Sequence, residues 1–277
     1  MQIGRFRIQT IEFGKFRLDG GAMFGVVPKV LWEKSNPADA QNRIELALRG
    51  LLIEAGDRKI LVDTGFGEGR SSKFRSLYAF TGGEQYLNEA LTEAGVTPGQ
   101  ITDVILTHLH FDHCGGSTIN KANDPQPAFP QARYYIQKKQ LEHARSLMER
   151  DRASYLREDF EPLIACGQAE LVDGEWELIP GIDAIICHGH TPYMQLVKIH
   201  NSGKTVVYAA DLLPLASHLA LPWIMAYDIN PVITLDEKRQ ILSRGAREGW
   251  IFIFEHDPYR AFGRIKETNR EGFNLAK

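Results

Sequence analysis

The sequence predicts an α/β fold with a sizeable core in a single domain, and three observations support these expectations. Short apolar runs typical of strands alternate with helical patterns along the 277 residues. Hydrophobic residues make up 43% of the chain, which is enough for a sizeable core and argues against disorder. No linker-like change in composition divides the chain, so we expect a single domain over residues 1–277.

The first half of the chain begins with a predicted hairpin, because the strand-like runs LLIEA and KILVD flank a Gly-Asp-Arg turn. The helical pattern that follows ends at Gly95, a residue typical of helix C-termini. The predicted elements, in order, are two hairpin strands (49–55 and 59–63), a helix (84–94), a strand (103–107), a Pro-rich loop (123–131), a strand (134–137) and a helix (138–148).

The second half continues the alternation. An amphipathic helix is expected to begin after Thr234, whose hydroxyl suits an N-cap. The predicted elements are three strands (182–187, 197–200 and 205–210), a helix (235–248) and the buried strand WIFIF (250–254). Together the two halves give the order expected of an α/β protein.

Charge and composition exclude several classes of function. With 32 basic and 35 acidic residues the net charge is −3, and no basic run indicates a nucleic-acid surface. No apolar stretch approaches the roughly 20 residues of a membrane span, and the first residues lack a signal-peptide pattern. The three cysteines have no framework spacing, which is typical of free thiols in a reducing compartment. We therefore expect a cytoplasmic protein that binds neither nucleic acid nor membrane.

The stretch THLHFDHCGG, residues 107–116, crowds three imidazoles and a carboxylate into six positions. His108 and His110 lie two residues apart, so they point the same way from an extended segment. Asp112 and His113 are adjacent and need a bend to point at a neighbouring place, and two glycines follow. Because the two pairs point at neighbouring places, the spacing favours two adjacent metal ions. Packing these groups without a cation would also leave buried polar atoms without partners, which costs free energy.

Three other apolar strands also end in a histidine or an aspartate. His190 follows the strand IDAIIC, Asp211 follows TVVYAA, and His256 follows WIFIF. Each would be an ordinary residue alone, but together with the first cluster they complete a metal-ligand set.

The motif His108-Leu-His110-Phe-Asp112-His113, with Gly189-His190-Thr191, Asp211 and His256, resembles the metallo-β-lactamase superfamily. The resemblance implies a four-layer αβ/βα sandwich whose halves meet near residues 123–131. Asp63 matches a strand-end aspartate that supports the ligands. By the family pattern one ion is held by His108, His110 and His190, the other by Asp112, His113 and His256, with Asp211 bridging both.

Such a site would hold two divalent ions, and we expect zinc, with iron and manganese as alternatives. Two cations lower the pKa of a shared water toward about 7, which gives a bridging hydroxide for attack on a carbonyl or phosphoryl centre. Asp112 is a candidate proton acceptor as well as a ligand, and Asp211 is counted with it as catalytic. The predicted enzyme is a dinuclear metal-dependent hydrolase.

Within the superfamily the chain resembles small-molecule lactonases and methyl parathion hydrolase, so a lactone, ester or phosphotriester is expected as substrate. Two apolar segments, 21–35 and 219–227, could wall a pocket or serve as core or as a homodimer contact. The candidate pocket residues are Phe24, Trp32, Trp223, Tyr227 and Tyr193. Lactonases carry a tyrosine just after the bridging aspartate, and here Leu212 stands there. His218, Tyr193 and Tyr227 are the candidate substitutes, with His218 preferred as a catalytic hydrogen-bond donor.

Two alternatives use the same residues. A di-iron redox enzyme is possible on this ligand set, although the chain has no room for an electron-donor domain. A non-catalytic member of the fold is less favoured, because such proteins lose ligands and this set is intact.

Overall fold

Two seven-stranded β-sheets and one small hairpin hold the strands of the computed structural model. The structure describes residues 1–82, 85–121, 124–146, 148–268 and 272–276. Its contacts divide the chain into two compact units, one of 1–14 with 48–176 and one of 15–47 with 177–277. The chain passes from one unit to the other after residues 14, 47 and 176. The expectation of a single domain with halves that meet near 123–131 stays a prediction.

The strands account for most of the regular structure. Among the described residues they are β1 (Gln2–Ile3), β2 (Phe6–Asp19), β3 (Arg43–Ala55), β4 (Arg58–Val62), β5 (Asp103–Ile105), β6 (Thr118–Lys121), β7 (Asp124–Pro127), β8 (Arg133–Gln137), β9 (Ala169–Val172), β10 (Glu177–Ile179), β11 (Ile182–Cys187), β12 (Met194–Asn201), β13 (Lys204–Tyr208), β14 (Ile251–Ile253), β15 (Phe262–Glu267) and β16 (Phe273–Leu275). The alternation of these strands with helices confirms the predicted α/β class.

Most of the helices are short. Within the described ranges they are α1 (Gly20–Phe24), α2 (Lys29–Trp32), α3 (Ser72–Leu77), α4 (Tyr86–Glu93), α5 (Phe111–Cys114), α6 (Lys138–Ser146), α7 (Glu161–Ala165) and α8 (Pro231–Glu248). None of the helices in the described part of the chain is long and apolar enough to cross a membrane.

The first sheet has the order β1-β2-β3-β4-β5-β8-β9. Strands β3 and β4 form the predicted antiparallel hairpin, with Leu51 opposite Val62. From β4 onward the neighbouring strands β4, β5, β8 and β9 are parallel. Because parallel strands end at the same edge, Asp63 after β4 lies beside the residues that follow β5.

The second sheet has the order β10-β11-β12-β13-β14-β15-β16. Its strands β13 and β14 are parallel, with Tyr208 opposite Ile253, so the residues that follow them reach the same edge. Strands β11 and β12 form a hairpin with Cys187 opposite Met194, which places His190 in their connection. The topology thus brings the ends of three strands together.

Several predicted boundaries are corrected by the structure. Residues 124–127 form β7, paired with β6, where a Pro-rich loop was expected, because a two-stranded edge tolerates proline. Helix α8 begins at Pro231 with Asn230 at the N-cap, one turn before the expected start after Thr234. Proline is favoured in the first helical turn because its missing N–H has no partner there.

The remaining helix predictions hold over most of their length. Helix α4 ends at Glu93, and Gly95 has the positive φ of 80° expected after a helix. Glu84, at its predicted start, lies outside the described residues. Helix α6 ends at Ser146, and Leu147 of its predicted last turn also lies outside them.

Candidate metal centre

The motif turn follows β5 and is held by tight backbone packing. His110 is the N-cap residue of the short helix α5, and the Cys114 N–H donates to the His110 carbonyl at 3.0 Å. A Cβ on Gly115 would collide with the Phe66 carbonyl, and one on Gly116 with the Thr64 carbonyl. The two glycines that follow the predicted bend are therefore required by the close approach of this backbone.

The four ligand candidates of the first unit lie together and are buried. The His108 Nε2 atom lies 3.1 Å from the His110 Nδ1 atom, and the His108 and His113 ring centroids are 3.9 Å apart. The Asp112 Oδ2 atom is 3.8 Å from the His113 Nε2 atom. We call His108, His110, Asp112 and His113 the first cluster; each has at most 8% of its surface exposed.

Asp63 orients the first cluster from the end of β4. Its carboxylate accepts the Thr107 N–H at 2.8 Å and the Thr107 hydroxyl at 2.7 Å, and lies 3.1 Å from the His113 Nδ1 atom. Because Asp63 contacts Nδ1, Nε2 is the ring nitrogen of His113 that would serve as a metal ligand. Asp63 has a positive φ of 54°, a strained conformation of the kind found at functional sites. This contact matches the supporting role expected from the sequence.

The ligand candidates of the second unit gather around one carboxylate. Asp211 lies in a short 3-10 helix after β13, preceded by Ala210 with a φ of 43°. Its Oδ2 atom is 3.1 Å from the His190 Nε2 atom, and its Oδ1 atom is 3.3 Å from the His256 Nε2 atom. We call these three buried residues the second cluster. Each oxygen of one carboxylate thus faces a different imidazole.

Both histidines of the second cluster are oriented through Nδ1. The Asp228 Oδ1 atom lies 2.8 Å from the His190 Nδ1 atom, and the Ala47 carbonyl lies 2.9 Å from the His256 Nδ1 atom. Burial opposes charge on His190, yet Asp211 and Asp228 raise its pKa to about 10. The surroundings of this imidazole therefore favour positive charge. Sequence reasoning missed Asp228, because a single acidic residue at the end of an apolar segment matches no motif.

These distances fit the coordination of a divalent cation. Zinc–nitrogen bonds of about 2.0–2.1 Å imply ligand atoms about 3.3 Å apart at the corners of a tetrahedron. The separations of 3.1 Å between His108 and His110, and of 3.1 and 3.3 Å around Asp211, agree with that spacing. The donor set of imidazole and carboxylate also suits zinc, iron or manganese. Each cluster, taken by itself, is suited to metal binding.

His218 is placed differently from its predicted role. It is 2% exposed, its Nε2 lies 2.9 Å from the Met23 carbonyl, and its ring stacks on Phe24 at 5.1 Å. Burial lowers the pKa of His218 to about 3, so the ring is neutral and its one N–H is used by Met23. The other ring nitrogen can accept a hydrogen bond but cannot donate one. The expected role of His218 as a donor to substrate does not fit this arrangement.

The predicted pocket residues separate into core and accessible positions. Phe24 and Trp32 are 0% and 1% exposed and stack on each other at 5.3 Å, so they belong to the core and not to an open wall. Trp223 packs edge-on against Phe24 at 5.4 Å and is half-buried. Tyr227 is exposed. Tyr193 is half-buried and packs against His188.

Comparison with known proteins was made against families, curated sequences and solved structures. Residues 51–256, more than half of the chain, match the Metallo-beta-lactamase superfamily. A probable metallo-hydrolase of Mycobacterium bovis is 32% identical over 250 residues, covering 78% of this chain and 76% of that protein. An N-acyl homoserine lactonase of Bacillus cereus is 28% identical over 178 residues, 60% of this chain. That match spans 64% of the lactonase, less than two thirds of its length.

Solved structures resemble this one over nearly their whole length. A probable metal-dependent hydrolase from Staphylococcus aureus has a TM-score of 0.91 and 27% identity, covering 100% of this chain and 99% of that one. The dizinc quorum-quenching lactonase AidC has a TM-score of 0.81 at 22% identity, with 100% and 95% covered, and shows the shared fold.

These matches confirm the expected αβ/βα sandwich class. Relatives that are lactonases and metallo-hydrolases, together with two clusters suited to metal, support the predicted class of metal-dependent hydrolase. With the family match covering both clusters, the chain belongs to the metallo-β-lactamase superfamily.

Proposed function

We propose that this protein is a dinuclear, zinc-dependent hydrolase that opens the lactone ring of a small, partly apolar substrate. One observation carries the proposal: the two oxygens of Asp211 each face the Nε2 atom of a different histidine, and both histidines are held through Nδ1. A carboxylate placed in this way is suited to bind two cations, one through each oxygen, and not a single cation only.

The proposed ligands follow the family pattern. One ion is assigned to His108, His110 and His190, the other to Asp112, His113 and His256, and Asp211 to both. When bound, the ions lower the pKa of a water and stabilise negative charge on the substrate oxygen. The chain's own residues fix the donor atoms, because Asp63 and Asp228 hold His113 and His190 in one ring orientation.

Asp112 is proposed to accept the proton of the attacking water. It is buried in the first cluster at the start of α5, and only one of its carboxylate oxygens is needed as a ligand. The second oxygen can take a proton and return it to the leaving alkoxide, as a general base and then a general acid. Cys114 does not compete for this role, because burial raises the pKa of its thiol well above the usual value.

A lactone is preferred over an ester or a phosphotriester because several curated relatives are N-acyl homoserine lactonases. Trp223 and Tyr227 present aromatic surface that is not fully buried, which suits an uncharged apolar group on the substrate. The carbonyl-polarising role expected of a tyrosine falls to the cations in this proposal, since His218 has no N–H to offer.

The test is metal analysis of the purified protein, followed by kinetics on lactones, esters and phosphotriesters. We expect about two zinc ions per chain, lactone hydrolysis, loss of activity on chelation and recovery when zinc is added back. His200→Gln is the matched control, because His200 pairs with Asp183 at the surface and should leave metal content and rate unchanged. Activity that survives chelation, or iron with oxygen uptake and no hydrolysis, would refute the proposal.

Location in the cytoplasm and assembly as a homodimer stay predictions from the sequence.

A further inference from the structure

Lys238 is a buried cation that the proposed chemistry does not use. It lies at the start of the third turn of α8 and has 0% of its surface exposed. Its ammonium donates to the carbonyls of Ala220, Leu221 and Trp223 at 3.0, 3.2 and 2.7 Å. An ammonium has three N–H donors, so this side chain is fully engaged by one short stretch of backbone.

The stretch that Lys238 holds lacks the usual backbone support. Residues 220–230, all of them described, lie between a 3-10 helix (Ala216–Leu219) and α8, and form neither helix nor strand. Buried carbonyls outside regular structure need donors from elsewhere. Lys238 supplies three of them at once, which offsets part of the cost of burying its charge, since burial still lowers the pKa of Lys238 to about 7.

The segment 220–230 is attached near its two ends and, between them, by the Ala226 N–H, which donates to the Ala22 carbonyl at 2.8 Å. At its far end Asn230 donates its N–H to the Gly189 carbonyl at 2.9 Å, Ile229 donates to the His190 carbonyl at 3.1 Å, and Asp228 meets the His190 ring. At its near end the carbonyls of residues 220, 221 and 223 meet Lys238. Lys238 therefore holds the backbone that carries Trp223, whose ring also packs on Phe24, whereas Asp228 has attachments of its own.

We propose that Lys238 is a positioning residue that sets substrate specificity, by fixing residues 220–223 so that Trp223 meets the apolar part of the substrate. The inference rests on the proposed lactone hydrolysis, in which Trp223 contacts an acyl group. Because Asp228 is anchored separately, loss of Lys238 should alter substrate binding while leaving the metal ligands in place. The ligand selected is an uncharged acyl chain, since the ammonium is occupied by backbone and offers no charge to the substrate.

The experiment compares Lys238→Met with the wild type on a short-chain and a long-chain acyl lactone. For Lys238→Met, KM for the long-chain lactone should rise about tenfold, as expected for loss of one aromatic contact. KM for the short-chain lactone, kcat and zinc content should change less than twofold. Arg239→Met is the matched control, because Arg239 is the next residue of α8 and is exposed. A purely structural role would instead lower kcat and zinc content for both substrates, and that result would overturn the proposal.

A second measurement does not depend on activity. Hydrogen exchange of the zinc-loaded Lys238→Met variant should rise at residues 220–225 and stay at the wild-type level at Ala226, which is bonded to Ala22, and at 228–230. Unchanged exchange at 220–225 would overturn the role of Lys238 as an anchor. This outcome is distinct from a wild-type protein that hydrolyses no lactone, which would refute the proposed function. If Lys238→Met does not fold, Lys238→Gln keeps two amide donors and should give an intermediate rise in exchange. An exchange rate equal to that of the wild type in Lys238→Gln would equally contradict the proposal.

Discussion

The first and second clusters contain the same kinds of side chain but are built in different ways. The first comes from six consecutive residues, and its geometry is set by one turn after β5. The second takes its residues from three separate connections, and its geometry is set by the order of strands in the second sheet. A local motif can therefore be read from spacing alone, whereas a dispersed one depends on topology.

The aspartates that orient the two clusters, Asp63 and Asp228, also lie in different kinds of structure. Asp63 holds the first cluster from a neighbouring parallel strand and bonds both Thr107 and His113. Asp228 holds the second from a segment without regular structure, which the N–H groups of Ile229 and Asn230 attach to the carbonyls of His190 and Gly189. The first support is part of a sheet edge, and the second lies in a loop. We expect the second cluster to be the more sensitive to substitutions outside the ligand set.

The largest effect is expected from Asp211→Asn. An amide cannot supply two anionic oxygens, so zinc content should fall and kcat/KM should drop by about 10³-fold or more. Metal analysis and lactone kinetics measure both quantities. Asp183→Asn is the control, because Asp183 is also a carboxylate of the second unit paired with a histidine, but at the surface. Retention of two zinc ions and normal activity in Asp211→Asn would show that this carboxylate is not a bridge.

Asp228→Asn and Asp63→Asn compare the two supports directly. Each should weaken zinc binding by about 10–100-fold, because the histidine it holds loses its fixed ring orientation. Competition with a chromogenic chelator gives the affinity, and denaturant unfolding of the metal-free protein gives the stability. Asp63→Asn should also destabilise the metal-free protein, since Asp63 joins β4 to the β5 turn. Equal unfolding free energies for the two variants would show that Asp63 at the sheet edge contributes no more to the stability of the metal-free protein than Asp228 does.

The sequence was sufficient for the first cluster and insufficient for what surrounds the second. The motif and the strand ends placed His108, His190 and the other ligand candidates, because spacing and strand periodicity are local properties. Asp228 and Lys238 lie in or against a segment whose conformation is fixed only by tertiary contacts, so no local pattern marks them. The start of α8 was misplaced because Thr234 suits an N-cap, whereas Pro231 determines where the helix begins.

His218 lies in the core beside the second cluster, so the pH dependence of stability tests its protonation separately from the metal chemistry. Burial lowers the pKa of His218 to about 3, below its unfolded value of 6.5, so the unfolded chain binds the proton more readily. Its contribution to stability is therefore present above pH 6.5 and is lost as pH falls toward 3. The slope is at most about 1.4 kcal/mol per pH unit. In His218→Phe, which can still stack on Phe24, the free energy of unfolding should fall less steeply over this range. Parallel pH profiles of the two proteins would show that His218 titrates normally.

The smallest effect is expected from the two cysteines that lie near the clusters in sequence. Cys114 follows His113 and Cys187 lies three residues before His190, and burial raises the pKa of both thiols well above the usual value. Neither is then a thiolate at neutral pH, so Cys114→Ala and Cys187→Ala should each keep kcat/KM within about twofold. Each should cost about 1 kcal/mol of stability through the small cavity left behind. Thiol titration should find one reactive group in the native protein, the exposed Cys166, and three after unfolding. A second reactive thiol in the native protein would show that the surroundings of Cys114 or Cys187 open to solvent.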